Sequence, residues 1–321
     1  MTSRTLRPIT VVAALLALLG SLVACTGTGD SDPKTLTVGF VVDPSWAQIP
    51  VAEQSGYFSR RGVKVKVVDF ATGVEALQAL AAHQVDVTTA ADVPTAAALT
   101  RTPSLRIIGD GSRWQGSRIV ARRSAGITSV NDLSGKSIGT PLGTSAAYFA
   151  SNALSHSNID AKLVQVAPPA AVTAATQRNV DAIAIFQPYQ AQVEQALGSD
   201  AIELAGGTYD QHSLYLATDT AVSGKSAALS AFLAALNDAS AQLTARSVPA
   251  ISAVAAATQL PADLLTRILP EFDYTLALPA DLPTALTAQA NWAKSQGSVD
   301  RSVTLPDYAT FVDRDFLPHT G

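Results

Sequence analysis

The sequence NDLSGKSIGTPLGTS, residues 131–145, holds a short strand, a tight turn and the start of a helix. We interpret residues 136–140 as the strand, residues 141–143 as the turn, and Thr144 or Ser145 as the helix cap. A helix N-terminus at the carboxyl end of a strand offers backbone N–H groups and a positive dipole, which suit a small anion or polar group. The alternative is that these residues only cap a surface helix.

Strands and helices alternate along the residues before this stretch. Apolar strands at 36–42, 63–68, 85–89 and 105–109 are separated by segments with helical spacing of apolar residues. This alternation is typical of parallel β/α units, and ligands of such α/β folds bind beyond the carboxyl ends of the strands. We therefore expect one shared edge for the loops that hold Ser45, Trp46, Thr72, Gly73 and Asp92.

A second series of β/α units follows the glycine-containing segment 109–114, which we interpret as a crossover between two lobes. The strand at 212–217 is the expected return crossover, and the mainly helical remainder should pack on the first lobe. The predicted domains are a first lobe made of residues 35–112 and 217–321 and a second lobe made of residues 113–216. Residues 79–87 and 174–182 share one pattern of helix, polar turn, Val-Asp and strand, so the same β/α unit is repeated in each lobe.

The N-terminal sequence is predicted to be an export signal. Arg4 and Arg7 precede an apolar run that is too short for a permanent membrane span, so residues 1–24 are predicted to be a signal peptide. The run ends in Leu-Val-Ala-Cys25, which resembles a bacterial lipobox, and Cys25 is the single cysteine of the chain. We expect lipidation of Cys25, a flexible tether at 25–34, and a location on the outer face of the cell membrane. Alternatively, Cys25 merely ends an ordinary signal peptide.

The composition argues against several kinds of function. The formal net charge of −4 and the scattered basic residues give no reason to expect a nucleic-acid partner. The chain has four histidines, which lie far apart in sequence without metal-ligand spacing: His83, His156, His212 and His319. The glycine-containing loops lack the lysine of a phosphate-binding loop and the third glycine of a dinucleotide fingerprint. We expect no cofactor, no metal and no catalytic residue.

Several short motifs together resemble the SsuA/THI5-like (NMT1-like) substrate-binding proteins of ABC importers. They are Gly56-Tyr-Phe with Gly62-Val-Lys-Val, the two Val-Asp segments, Asp132-Leu-Ser-Gly-Lys136, Gly143-Thr-Ser145 and Gln187-Pro-Tyr189. The resemblance implies a type II periplasmic-binding-protein fold whose two lobes are joined by a two-strand hinge and close on a small ligand. It also implies a monomer that delivers its ligand to an ABC permease and its ATPase. Relatives bind sulfonates, taurine, nitrate, bicarbonate or thiamin-precursor pyrimidines, and the sequence does not decide among these.

By position in these motifs, the resemblance implies ligand contacts from both lobes. The implied ligand-binding residues are Ser45, Trp46, Thr72, Gly73, Asp92, Gly143, Thr144, Ser145 and Gln187. Trp46 is expected either to form an apolar wall or to pack at the rim, and Asp92 either to pair with a cationic group or to cap a helix. Arg113 is interpreted as an exposed hinge residue rather than an anion ligand. Two alternatives to import remain: a binding module that feeds a membrane sensor, and an enzyme of this fold that acts on a pyrimidine precursor.

Overall fold

Two β-sheets with helices around them make up the part of the chain that the computed structural model describes, residues 32–204 and 209–318. The strands are β1 (Thr35–Val41), β2 (Lys64–Phe70), β3 (Val87–Ala91), β4 (Leu105–Trp114), β5 (Ile119–Arg122), β6 (Ser137–Thr140), β7 (Lys162–Gln165), β8 (Ala182–Ala184), β9 (Ala201–Leu204), β10 (Gln211–Thr218) and β11 (Phe272–Asp273). The predicted signal peptide and Cys25 lie outside the described residues.

Helices connect most of these strands. They are α1 (Gln48–Gln54), α2 (Tyr57–Arg60), α3 (Gly73–Ala81), α4 (Asp92–Leu99), α5 (Ser145–His156), α6 (Ala171–Thr176), α7 (Tyr189–Leu197), α8 (Asp219–Gly224), α9 (Ser226–Thr244), α10 (Val248–Thr258), α11 (Ala262–Ile268) and α12 (Leu282–Ser295). Among the described residues, no single helix has the length and apolarity to cross a membrane, although α10 and α11 pass that test as a pair bent by 111°.

The two sheets have corresponding strand orders over five strands, and the first sheet has a sixth strand, β11, at its edge. In the first sheet the order is β11-β4-β10-β3-β1-β2, and in the second it is β7-β6-β8-β5-β9. β1 pairs in parallel with β2 and β3, as β6 does with β7 and β8. One antiparallel strand lies beside this parallel group in each sheet: β10 in the first and β5 in the second. The predicted α/β class and its two-lobe arrangement are confirmed.

The chain crosses between the sheets at different residues from those we predicted. β4 continues through residues 109–114, where we expected a crossover. β10 pairs along its whole length with β4 and over residues 213–217 with β3, both in the first sheet. Gly111 permits this pairing, because a Cβ atom there would lie 2.5 Å from the Tyr215 ring on β10. The first sheet therefore includes residues 113–114 and 211–216, which the predicted boundaries had assigned to the second lobe.

The repeated Val-Asp pattern has the same structural role in each lobe. Val85 and Val180 are both buried, and the turns before them contain His83 and Arg178 with positive φ angles of 56° and 61°. The following aspartates each accept a hydrogen bond from the backbone of a neighbouring strand: Thr37 N to Asp86 Oδ2 at 2.8 Å, and Ser137 N to Asp181 Oδ2 at 2.9 Å. The repeat thus holds the first parallel strand of each sheet to the third.

The lobes also contact each other away from the two crossings. Trp292 of α12, in the first lobe, lies edge-on to Tyr148 of α5, in the second, with ring centroids 5.3 Å apart. Tyr148 in turn lies edge-on to Tyr209, which directly precedes β10, at 5.2 Å. This aromatic group of three links α12, α5 and the return of the chain to the first sheet.

Candidate functional site

A cleft lies where the parallel strands of both sheets end. It is partly open to solvent, and residues from both lobes line it. Its lining residues come from the ends of β1, β3 and β10 and from loops before α3, α5 and α7: Val41, Asp43, Trp46, Thr72, Gly73, Ala91, Pro94, Thr144, Ser145, Phe186 and Gln211. This is the edge at which ligands of open α/β sheets are expected.

Five of the nine predicted ligand-binding residues line this cleft. Trp46, Thr72 and Gly73 come from the first lobe, and Thr144 and Ser145 come from the second. Trp46 is buried in the hydrophobic core around β1 of the first lobe, which agrees better with an apolar wall than with a rim residue that packs on the other lobe. Thr72 caps α3 by accepting a 3.3 Å hydrogen bond from the Glu75 backbone and also faces the cleft. The structure therefore brings together the two loops on which the prediction depended.

The turn before α5 aims the start of this helix at the cleft. Gly143 has a φ angle of +76°, which glycine adopts without the strain that a side chain would add. The Thr144 hydroxyl donates to the Pro141 carbonyl at 2.6 Å, so this N-cap side chain does not cap the first turn of α5. The backbone N–H groups at the start of α5 are thus available to a ligand. Gly143 itself lies outside the cleft, in a neighbouring groove beside the exposed Leu142.

Asp92 lies beneath the site and not among the lining residues. It is fully buried at the start of α4, and its carboxylate accepts hydrogen bonds from Tyr209 Oη at 2.5 Å and Gln289 Nε2 at 2.6 Å. A third bond comes from the His212 backbone at 3.3 Å. Burial raises the pKa of Asp92, and the positive charge of His212 and these hydrogen bonds lower it. Its carboxylate also accepts a hydrogen bond from the Val93 backbone at 2.8 Å, at the start of α4. Asp92 thus joins the first turn of this helix to three distant parts of the chain, whereas the predicted roles were a ligand contact or a helix cap.

Ser45 and Gln187 are also buried outside the cleft lining. The Ser45 backbone donates to Asp43 Oδ1 at 2.7 Å, and its carbonyl accepts from Ser112 Oγ at 2.7 Å. Gln187 Nε2 donates to Glu271, and its Oε1 accepts from the Ala191 backbone. The Ser45 backbone and the Gln187 side chain therefore stabilise the surroundings of the cleft.

Arg113 forms an ion-pair group beside the crossings. Its guanidinium lies 2.6 Å from Asp273 Oδ2 and 3.4 Å from Asp110 Oδ2. Asp110 also contacts His212 Nδ1 at 2.7 Å. Burial lowers the pKa of His212, but the hydrogen bond and charge of Asp110 more than offset this effect, and the net pKa is raised. Arg113 is thus occupied by carboxylates, and it is part of β4 rather than an exposed hinge residue.

Six of the eleven lining residues were not predicted: Val41, Asp43, Ala91, Pro94, Phe186 and Gln211. Three of these, Asp43, Phe186 and Gln211, have a polar or aromatic side chain that could contact a ligand. Asp43 follows β1 directly, so the rule that identified Trp46 would also have identified Asp43. Phe186 follows β8 in the same way, but we chose the adjacent Gln187. Gln211 begins an antiparallel strand, and no local pattern indicates that such a strand starts where its parallel neighbours end.

Asp43 is a buried carboxyl group in the lining of the cleft, and its pKa is raised. Its side chain is 5% exposed, and burial raises its pKa to about 7, although a hydrogen bond from Ser45 opposes the shift. No lysine, arginine or histidine forms a salt bridge with it in the described part of the chain. An acidic group near its midpoint at neutral pH can either accept a hydrogen bond from a ligand or donate one. Within residues 32–204 and 209–318, no group of three or more His, Cys, Asp or Glu side chains is arranged to hold a metal ion.

Known proteins resemble this chain in both sequence and structure. A putative aliphatic sulfonates-binding protein from Bacillus subtilis is 29% identical over 190 residues, and the match covers 56% of each chain. A putative aliphatic sulfonates-binding protein from Escherichia coli is 24% identical over 282 residues, which cover 85% of this chain and 88% of the relative. The alignment with the Bacillus relative thus spans little more than half of that protein.

Solved structures share the fold. The alkanesulfonate-binding protein SsuA from Xanthomonas axonopodis, bound to MOPS, superimposes with a TM-score of 0.74 at 23% identity, covering 88% of this chain and 99% of SsuA. The desulfurization enzyme DSZB also shares the fold, with a TM-score of 0.66 at 16% identity over 88% of this chain and 97% of DSZB. The model of the NMT1/THI5 like family matches residues 43–248, well over half of the sequence. The chain therefore belongs to the NMT1/THI5-like family.

Proposed function

We propose that this chain is the extracytoplasmic solute-binding component of an ABC importer and that its cleft captures a small polar or anionic molecule. The observation that carries the proposal is the convergence of loops from both lobes, including the uncapped start of α5, on one cleft. The Bacillus and Escherichia relatives are both described as putative aliphatic sulfonates-binding proteins, which supports an anionic group on the ligand. Binding between two hinged lobes favours a closed state, and closure is the signal that a permease can read.

The chain acts by binding rather than by catalysis in this proposal. The curated relatives carry the names of binding proteins, although DSZB has the same fold and is an enzyme. Among the described residues that line the cleft there is one carboxylate, and none is a cysteine, histidine or lysine. Proposed partners are the ligand, a permease and its ATPase, with the chain itself acting as a monomer.

A thermal-shift panel tests the binding function. The purified soluble chain, without residues 1–25, is heated with sulfonates, nitrate, bicarbonate and pyrimidines, because a ligand that binds only the folded state raises the melting temperature by mass action. At least one compound should raise the melting temperature and be recovered chemically unchanged. Conversion of a compound to product would overturn the binding role in favour of an enzyme.

Ser145→Ala locates the site. Ser145 is 3% exposed and lines the cleft, so loss of its hydroxyl should weaken ligand binding by about 2- to 10-fold, the value of one hydrogen bond. Ser155→Ala is the matched control, because Ser155 is exposed near the other end of the same helix. Equal affinities of the two variants for the ligand found in the panel would contradict the assignment of the cleft.

We also propose that Cys25 carries a lipid that anchors the protein on the outer face of the membrane. The lipobox-like Leu-Val-Ala-Cys25 sequence supports this proposal. Cys25→Ser should move the protein from the membrane fraction to the soluble extracytoplasmic fraction of its native host. A variant that still sediments with membranes after a high-salt wash would argue against the anchor.

A further inference from the structure

The cleft contains a carboxylate that the protein itself leaves without a cationic partner. Asp43 Oδ1 accepts a hydrogen bond from the Ser45 backbone at 2.7 Å, and the Ser45 hydroxyl also bonds to the carboxylate, but neither of these donors carries a charge. The titratable groups that sense its charge are Tyr189 and Tyr274, and the Tyr274 hydroxyl donates to the Pro44 carbonyl at 2.7 Å instead. A buried charge is normally paired, so a partner from outside the chain would complete this site.

Two further lining residues have buried polar atoms without a partner in the described structure. Trp46 is 3% exposed and its Nε1, a donor, has no acceptor; Gln211 is 2% exposed and its Oε1, an acceptor, has no donor. Buried polar side-chain atoms nearly always form hydrogen bonds, so each of these atoms needs an explanation. Their presence in one cleft, together with Asp43, points to a ligand that both donates and accepts hydrogen bonds.

The second lobe favours an anionic group on the ligand, whereas the Asp43 carboxylate of the first lobe favours a cationic one. α5 is 12 residues long, its first turn has no side-chain cap, and Thr144 and Ser145 face the cleft. Its free N–H groups and positive dipole favour an anionic or accepting group. A ligand with only an anionic group would gain from α5 but would also be repelled by an ionised Asp43.

We propose that the ligand is a small zwitterion or amino-bearing anion, whose nitrogen binds Asp43 and Gln211 and whose anionic group binds the start of α5 and Trp46. This inference rests on the proposed function and narrows the ligand class within it. Asp43 is then the residue that determines specificity, because it separates amino-bearing anions from simple anions of the same size.

Matched ligand pairs test the proposal. Taurine and ethanesulfonate share a sulfonate and differ by one amino group, and β-alanine and propionate form the corresponding carboxylate pair. Affinities of all four compounds are measured calorimetrically at pH 8, where the Asp43 carboxyl is mainly ionised. The wild-type chain should prefer the amino member of at least one pair by tenfold or more.

Asp43→Asn should reduce that preference about tenfold, through weaker binding of the amino compound and stronger binding of the simple anion. Asparagine keeps the acceptor for Ser45, and a thermal melt checks that the variant is folded. Asp69→Asn, which changes an exposed carboxylate on β2, should leave the preference unchanged. The proposal is overturned if the simple anions bind as tightly as the amino compounds, if Asp43→Asn keeps the preference, or if none of the four binds. A different ligand found in the thermal-shift panel would leave the binding function intact in each of these cases.

Discussion

Asp43→Asn should make the unliganded protein more stable at pH 8 and hardly change its stability at pH 4. The unfolded chain releases the Asp43 proton near pH 3.8, whereas the folded protein retains it to about pH 7. The folded state therefore binds more protons between these values, and the free energy of unfolding falls as the pH rises through this window. Each pKa unit corresponds to about 1.4 kcal/mol, so the ionised carboxylate costs on the order of 4 kcal/mol above pH 8.

Urea denaturation of both proteins at several pH values measures this cost. Other carboxylates titrate over the same range, so the informative quantity is the difference in unfolding free energy between variant and wild type at each pH. That difference should grow from near zero at pH 4 to about 4 kcal/mol at pH 8. Asp69→Asn is the control and should change stability by less than about 0.5 kcal/mol, as surface substitutions usually do. If Asp43→Asn is no more stable than wild type at pH 8, the carboxylate is not destabilising and our account of the cleft is wrong.

Two other substitutions probe the surroundings of the cleft. Tyr209→Phe removes the 2.5 Å hydrogen bond to the buried Asp92 and should lower the unfolding free energy by about 1–3 kcal/mol in urea denaturation; an unchanged midpoint would mean that this bond contributes nothing. Gly39→Ala should cost about 1–3 kcal/mol, because its Cβ would lie 2.5 Å from Thr88 Oγ1 and 3.0 Å from the Phe70 ring. Gly224→Ala, with no atom within 4 Å of the added carbon, is the matched control, and an equal loss in both variants would refute the overpacking argument.

The sequence predicted those features that depend on local pattern. Each strand-helix unit has its own periodicity, and the loops after parallel strands share an edge, so the sequence alone predicts that Trp46, Thr72 and Ser145 lie at one cleft. The Val-Asp repeat likewise predicted two similar lobes.

Features that depend on pairing between distant residues were not predictable in this way. β10 follows the second lobe in sequence but pairs with β3 and β4, so its place and that of Gln211 depend on topology. Asp92 accepts hydrogen bonds from Tyr209, His212 and Gln289, which lie 117, 120 and 197 residues away in the sequence. No local sequence pattern predicts pairing over such separations. A buried carboxylate at the start of a helix reads as a cap or a ligand contact until those partners are known.

The chain has three tryptophans, and they lie in the cleft, beside the first crossing and at the contact between the lobes. Trp46 lines the cleft, Trp114 precedes the first crossing with its Nε1 bonded to Glu271, and Trp292 contacts Tyr148 across the lobes. Intrinsic tryptophan fluorescence of the unlabelled protein can therefore report three events. Trp46 should respond to ligand contact, Trp114 to a change in backbone conformation at the crossing, and Trp292 to separation of the lobes. The variants Trp46→Phe and Trp292→Phe would show which fluorescence change comes from which tryptophan. Stopped-flow fluorescence could then measure whether ligand contact precedes or follows closure of the lobes, without an attached dye.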